Sequence, residues 1–179
     1  VSQSDIIIHL SDNTSISVAE NNTENSLIST VLPIINLINA AKELSSIPRV
    51  VFASTATIYG LTEKFPIEES HVSTPITSYD LHKFFAEQQL KMASNSNLID
   101  AVSLRLANVY GPSFNESSAH DRGILSKVTR MSFENKNPQI YGDGNYIRDY
   151  IYIDDVVSAF LYASIIDYDE IRKKSEIIF

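Results

Sequence analysis

The chain has no cysteine and no tryptophan, only five glycines, and markedly fewer cations than anions. Without cysteine there is neither a disulfide framework nor a thiolate metal site, which fits a cytoplasmic protein. With 14 Lys and Arg against 22 Asp and Glu, the formal charge is -8, and this argues against nucleic acid or an anionic membrane surface as partner. No apolar run is long enough to cross a bilayer. His9, His71, His82 and His120 show no metal-ligand spacing, so no metal is expected. The glycines stand at positions 60, 111, 123, 142 and 144, so no G-x-x-G-x-x-G phosphate-binding turn exists in these residues.

What is present suits a globular protein. At 179 residues, 44% apolar and 20% charged, the chain is long enough for a real core and too apolar for disorder. Short apolar runs at Asp5–Leu10, Arg49–Ser54 and Asp100–Leu106 read as buried parallel strands. Between them the three- and four-residue recurrence of Leu27, Val31, Ile34, Ile35, Ile38 and Ala41 predicts a helix from about Glu20 to Leu44, kinked at Pro33. The Asn and Ser cluster Asn21–Ser26 reads as a loop or helix start. A second helix is predicted over Thr77–Met92. Strands alternating with helices imply βαβ units. After Pro112 the pattern loosens: a helix near Gly123–Phe133, strands at Gln139–Tyr141 and Ile147–Ile153, and a helix after Asp154 and Asp155, which would cap it.

Tyr79 and Lys83 carry the chemistry. Four residues apart on a helix, they share one face, and an ammonium beside a phenol favours its ionised form. A free phenol titrates near ~10, so such help is needed for a tyrosine to act as a base near neutrality. A hydroxyl from Thr55, at the end of a neighbouring strand, could bind the same substrate oxygen. Tyrosine, lysine and threonine together suit the oxidation of an alcohol to a ketone with a nicotinamide acceptor. The bland reading is that Ser54 and Thr55 merely cap a strand end.

Five segments in one order extend the pattern: Asp5–Leu10, Val50–Gly60, Ser78–Lys83, Arg105–Pro112 and Tyr141–Asp155. Together they resemble the extended short-chain dehydrogenase/reductases, the NAD-dependent nucleotide-sugar epimerase/dehydratase family. The resemblance implies a Rossmann-type doubly wound parallel α/β sheet, with the glycine-rich N-terminal half absent and a smaller substrate-binding lobe beginning. It divides the chain into residues 1–112, the C-terminal half of the NAD-binding domain, and 113–179, a partial nucleotide-sugar-binding region. The polypeptide is thus expected to be a fragment of a longer protein, a homodimer when complete.

The resemblance also assigns roles. Tyr79 becomes the catalytic base, Lys83 a ligand of the nicotinamide ribose, and Thr55 the catalytic Ser/Thr, with Ser54 its neighbour. His9, Leu10, Ser11 and Ser54 would lie along the cofactor. Asn108 and Arg148 would contact the sugar diphosphate, where a planar guanidinium suits phosphate. Arg105, Arg122, Lys127 and Arg130 would add positive charge there. Departures stand beside these matches. Ser11 and Asp12 replace two usual alanines, and a carboxylate so near a pyrophosphate repels it unless it turns away. Thr30 and Pro33 replace an asparagine and a glycine, and Asp80 and His82 a glycine and a serine. The Asp-Glu pair of the 4,6-dehydratases is here Ala56-Thr57, which favours C4 epimerisation of a UDP-type hexose over dehydration. A 4-keto sugar reductase is the nearest rival, and a silent dinucleotide-binding module the alternative of another class.

Overall fold

The computed structural model describes residues 4–12, 16–112, 123–139, 142–145 and 147–167. Contacts divide the chain into two units, Val1–Leu106 with Ala159–Phe179, and Ala107–Ser158.

The first unit is built on a parallel sheet of β1 (Ile6–His9), β2 (Arg49–Thr55) and β3 (Asp100–Leu106), in that order. Ile6 pairs with Arg49 and Arg49 with Asp100, so His9, Thr55 and Leu106 all end at one edge. Helices flank it, and the expected parallel α/β arrangement is what forms. The core lies between the sheet and two helices, where Val50, Phe52 and Ile99 meet Ile34, Leu37, Leu90 and Ala86. β1 is a sheet edge, with Ile6 and Ile8 exposed.

One long kinked helix was expected before β2. Three form instead: α1 (Ile16–Asn21), α2 (Thr23–Thr30) and α3 (Leu32–Ala41). The first break is at Asn22, whose side chain accepts the Asn25 amide at 3.0 Å and caps α2. The second break, at Val31, lies beside Pro33, where an interruption was expected. Pro33 lies in the first turn of α3, where its missing N–H would have had no partner.

α4 (Ser78–Asn95) starts with a capping box: Thr77 Oγ1 accepts the Asp80 amide and the Asp80 carboxylate accepts the Thr77 amide, both at 3.2 Å. Its inner face buries Tyr79, Lys83, Ala86, Leu90 and Ala93, the helical spacing that carries Tyr79 and Lys83 to the sheet.

The second unit holds a two-stranded parallel ladder of β4 (Asn108–Tyr110) and β5 (Tyr150–Tyr152), and the helix α5 (Ile124–Phe133). The strand expected over 147–153 is only three residues long, because Ile153 already begins α6 (Ile153–Ile165). Asp154 and Asp155 therefore lie inside the first turn of α6 rather than ahead of it, where their charge still complements the helix dipole. The strand expected at Gln139–Tyr141 falls on residues 140 and 141, outside the described residues. β4 was not anticipated: three residues are too few for a period to show.

The C-terminal half of α6 belongs to the first unit. Arg49 donates to the carbonyls of Ala163 at 2.6 Å and Ile166 at 2.7 Å, satisfying groups a helix end leaves unpaired, while its Nε donates to Asp100.

Candidate active site

In open parallel sheets ligands bind at the carboxyl ends of the strands. Here that edge gathers His9 from β1, Ser54 and Thr55 from β2, and Tyr79 and Lys83 from the first turns of α4. Packing of α4 on β2, β3 and the 3-10 helix Ala56–Tyr59 brings them together.

Lys83 is buried, and its Nζ donates to the Ala53 carbonyl at 2.8 Å. It also lies 4.8 Å from the Phe52 ring centroid and 5.9 Å from that of Tyr79. Asp12, following β1, forms an ion pair with it at 2.8 Å, and Thr30 Oγ1 donates to the other carboxylate oxygen at 2.8 Å. Thr30 and Asp12, two departures from the family pattern, thus compensate each other: the carboxylate turns toward Lys83.

Thr55 is 8% exposed and N-caps the 3-10 helix, accepting the Thr57 amide at 3.3 Å. Its hydroxyl meets that of Thr57 at 2.9 Å, and Thr57 donates to Asp80. Asp80 thereby ties the start of α4 to the end of β2, a link the separate readings of Thr57 and Asp80 did not show. The capping reading of Thr55 is correct as far as it goes, and it leaves the hydroxyl at the strand edge.

Tyr79 is 8% exposed. Burial pushes its phenol well above the ordinary value, and the charges of Asp12 and Asp80 push the same way. The depression expected from Lys83 does not prevail: burial is the largest influence on the phenol and acts the other way. Burial likewise lowers the His9 imidazole, as does the Lys83 charge. The His9 ring packs against Phe52 with centroids 5.7 Å apart. Leu10 and Ser11 are exposed beyond it.

His82, on the same helix, is buried and hydrogen-bonds Ser26 Oγ through Nδ1 at 2.9 Å, joining α4 to α2. Arg105 does not offer its charge to a ligand: it is buried against Glu87 at 2.7 Å and stacked over the Tyr59 ring at 4.7 Å. Arg122 lies outside the described residues.

In the second unit, Asn108 is fastened to Asp149, donating to its carbonyl through the backbone at 3.1 Å and the side chain at 2.9 Å. This places Asn108 and Arg148 at the same end of the β4–β5 ladder. Arg148 is exposed and donates to the Ile147 carbonyl at 3.0 Å. A cavity of about 600 Å³ between β4 and α5 is lined by Tyr110, Gly111, Leu125, Thr129, Arg130 and Phe133, among others.

The sequence profile of the NAD dependent epimerase/dehydratase family matches residues 1–171. The chain belongs to that family. Its relatives include a putative UDP-glucose 4-epimerase of Methanocaldococcus jannaschii, 33% identical over 134 residues, which are 74% of this chain and 43% of that protein. The UDP-glucose 4-epimerase of Mycolicibacterium smegmatis is 28% identical over 89% of this chain and 50% of its own. Among solved structures, the UDP-N-acetylglucosamine 4-epimerase of Methanobrevibacter ruminantium, in complex with UDP-N-acetylmuramic acid, superposes with a TM-score of 0.83 at 29% identity. That match covers 92% of this chain and 52% of the other. The UDP-glucose 4-epimerase of Thermotoga maritima, with UDP-glucose, gives 0.80 at 27% identity, covering 90% and 52%. The chain spans about half the length of these relatives. The Rossmann-like fold and the family inferred from the five segments are both borne out.

The residues present fit one end of a dinucleotide. Ser54 Oγ is buried without a partner among the described residues at the edge where Lys83 and Tyr79 lie, which suits a ribose and nicotinamide. The glycine-rich turn that holds a pyrophosphate in such folds is absent from these 179 residues.

Proposed function

We propose that this chain carries the catalytic residues of an NAD-dependent epimerase acting on a nucleotide-diphosphate sugar, inverting C4 through a 4-keto intermediate. The observation that carries the reading is Tyr79 and Lys83 on the inner face of α4, packed against the strand that ends in Thr55. The family and the 4-epimerase relatives support it. When bound, NAD supplies a reversible hydride acceptor, so no net oxidation is required. Tyr79 takes the proton of the C4 hydroxyl and returns it. Thr55 binds the same oxygen. Lys83 has three donors: one goes to the Ala53 carbonyl, its charge is paired with Asp12, and it offers a donor to the cofactor ribose. His9, Leu10, Ser11 and Ser54 line the cofactor's path along the strand ends.

Asn108, Arg148 and the cavity beside Tyr110 and Arg130 take the diphosphate and nucleotide, so that the substrate region begins at the second unit, Ala107–Ser158, ahead of the boundary between residues 1–112 and 113–179. Among the described residues no helix is long and apolar enough to cross a membrane. Apolar side chains exposed on α2 and α4, Leu27, Ile28, Leu81 and Phe85, suit pairing of two copies into a homodimer, and a cytoplasmic location belongs to the same reading.

The test is Tyr79→Phe in the full-length enzyme, assayed for interconversion of UDP-glucose and its C4 epimer. Loss of a general base costs typically 10²–10⁴-fold, so kcat should fall by about that much with substrate binding retained. Undiminished turnover would sink the assignment. A silent dinucleotide-binding module is favoured by one observation, the Asp12 carboxylate engaging Lys83. It predicts cofactor binding with no turnover in the wild type. A 4-keto sugar reductase or 4,6-dehydratase would be recognised by its product in the same assay.

A further inference from the structure

Asp12 stands where the family resemblance places a small alanine, yet its carboxylate is almost wholly enclosed. The side chain is 1% exposed, and that of its ion-pair partner Lys83 is 4% exposed. Three elements close on it: the segment after β1 that bears it, α2 through Thr30, and α4 through Lys83. An ammonium at 2.8 Å from a carboxylate, both side chains almost wholly buried, is a strong electrostatic contact. It draws Lys83 toward the β1–β2 edge, where the Ala53 carbonyl and the Phe52 face complete its surroundings. The phenol of Tyr79, one helical turn away, is therefore faced by a cation already matched to an anion.

Among the described residues, three charged groups act on or lie near this phenol. Asp12 approaches from beyond β1, and Asp80 and Lys83 from α4. Two imidazoles adjoin the ion pair: His9, facing Lys83 and Asp12, and His82, facing Asp12 and Glu20. Of these groups, only Asp12 both adds a negative charge near Tyr79 and cancels the positive one. Taking that carboxylate away would remove a repulsion and release an attraction, two effects of one sign.

We propose that Asp12 is a positioning residue: it holds Lys83 and balances its charge, and so sets the pH at which the Tyr79 phenol can give up or accept a proton. What the phenol does at that pH rests on the function proposed above; the charge balance does not. The elevation of the Tyr79 phenol by burial, Asp12 and Asp80 agrees in direction. Thr30 is part of the device, since its hydroxyl orients the carboxylate through the second oxygen.

Tyrosine labelled with ¹³C at Cζ reports ionisation of each phenol separately, and Tyr79→Phe assigns the relevant signal among nine tyrosines. In the wild-type chain the Tyr79 signal should stay in its phenol position up to the highest pH at which the fold persists. In Asp12→Asn and Asp12→Ala it should titrate at a pH lower by about one unit or more, the usual effect of an unbalanced neighbouring charge. Asp12→Glu, which keeps the carboxylate, should behave like the wild type. A Tyr79 signal that remains in the phenol position in both neutral variants overturns the proposal, and so does the loss of a dispersed spectrum in both, which would make the carboxylate a packing requirement. In the full-length enzyme the acidic limb of the kcat profile should move by the same amount in Asp12→Ala. If the signal moves and the kcat profile does not, Asp12 balances the charge as proposed and it is Tyr79 as the base that fails.

Discussion

Arg105 on β3 and Glu87 on α4 face each other as a buried pair, with guanidinium nitrogens 2.7 and 3.1 Å from the two carboxylate oxygens. This pair and the cap at Thr77 fasten opposite ends of one segment, so the two turns bearing Tyr79 and Lys83 have little freedom to shift. Breaking a buried pair by removing one partner costs about 3–5 kcal/mol, because the survivor is left charged and dry. Arg105→Met should therefore lower stability by about that amount in urea titrations, whereas Arg105→Met with Glu87→Leu should recover most of it. Equal losses in the single and double variants would refute the uncompensated-charge argument.

Gly60 ends the 3-10 helix with φ of 69°, and a Cβ there would lie 2.1 Å from the Thr74 carbonyl oxygen. A left-handed backbone costs a non-glycine residue about 1–2 kcal/mol even in open space. Gly60→Ala should exceed that figure, because Thr74 is itself held by its hydroxyl, which donates to the Tyr59 carbonyl at 2.7 Å. Thermal unfolding of the variant measures this, and a change under 1 kcal/mol, on the order of the backbone term alone, would mean that Thr74 yields freely.

Stability should fall on acidification below neutrality. His9 and His82 both titrate below the ordinary histidine value in the fold, chiefly because burial disfavours the imidazolium. The unfolded chain, with histidines near ~6.5, then binds protons more readily than the native one. Their contribution is present above that value and is lost as pH falls from it through the folded values. Tyr79 acts at the other extreme: its raised phenol contributes stability below the unfolded tyrosine value, which is lost as pH rises through the folded one. Urea midpoints should decline from pH 7 to 5, and His82→Asn should flatten that slope. A midpoint that rises over this range would contradict the burial argument.

Arg148→Ala in the full-length enzyme should raise the Michaelis constant for the nucleotide sugar and leave kcat nearly unchanged. A hydrogen bond to a charged group is worth about 1.5–3 kcal/mol, which corresponds to roughly 10- to 150-fold. A Michaelis constant equal to that of the wild type would remove Arg148 from the diphosphate site.

Much of this protein is determined locally. The runs Val50–Phe52 and Ala101–Leu104 specify strands because only a sheet covered on its faces buries such side chains, whereas Ile6–Ile8, expected to be buried, pairs with β2 while Ile6 and Ile8 stay exposed at the sheet edge. Tyr79 and Lys83 share a helix face because four residues make about one turn, and Thr77 and Asp80 mark where that helix begins. What the tertiary structure alone decided is partnership across distance. Asp12 reaches Lys83, Thr30 reaches Asp12, Ser26 reaches His82 and Arg105 reaches Glu87, each over a sequence separation of 18 residues or more. A charge in a sequence looks alike whether it will face water or be matched in the dry interior. Only packing removes the solvent that would otherwise screen it, and so only packing turned Asp12 from an obstacle beside a cofactor into the partner of Lys83.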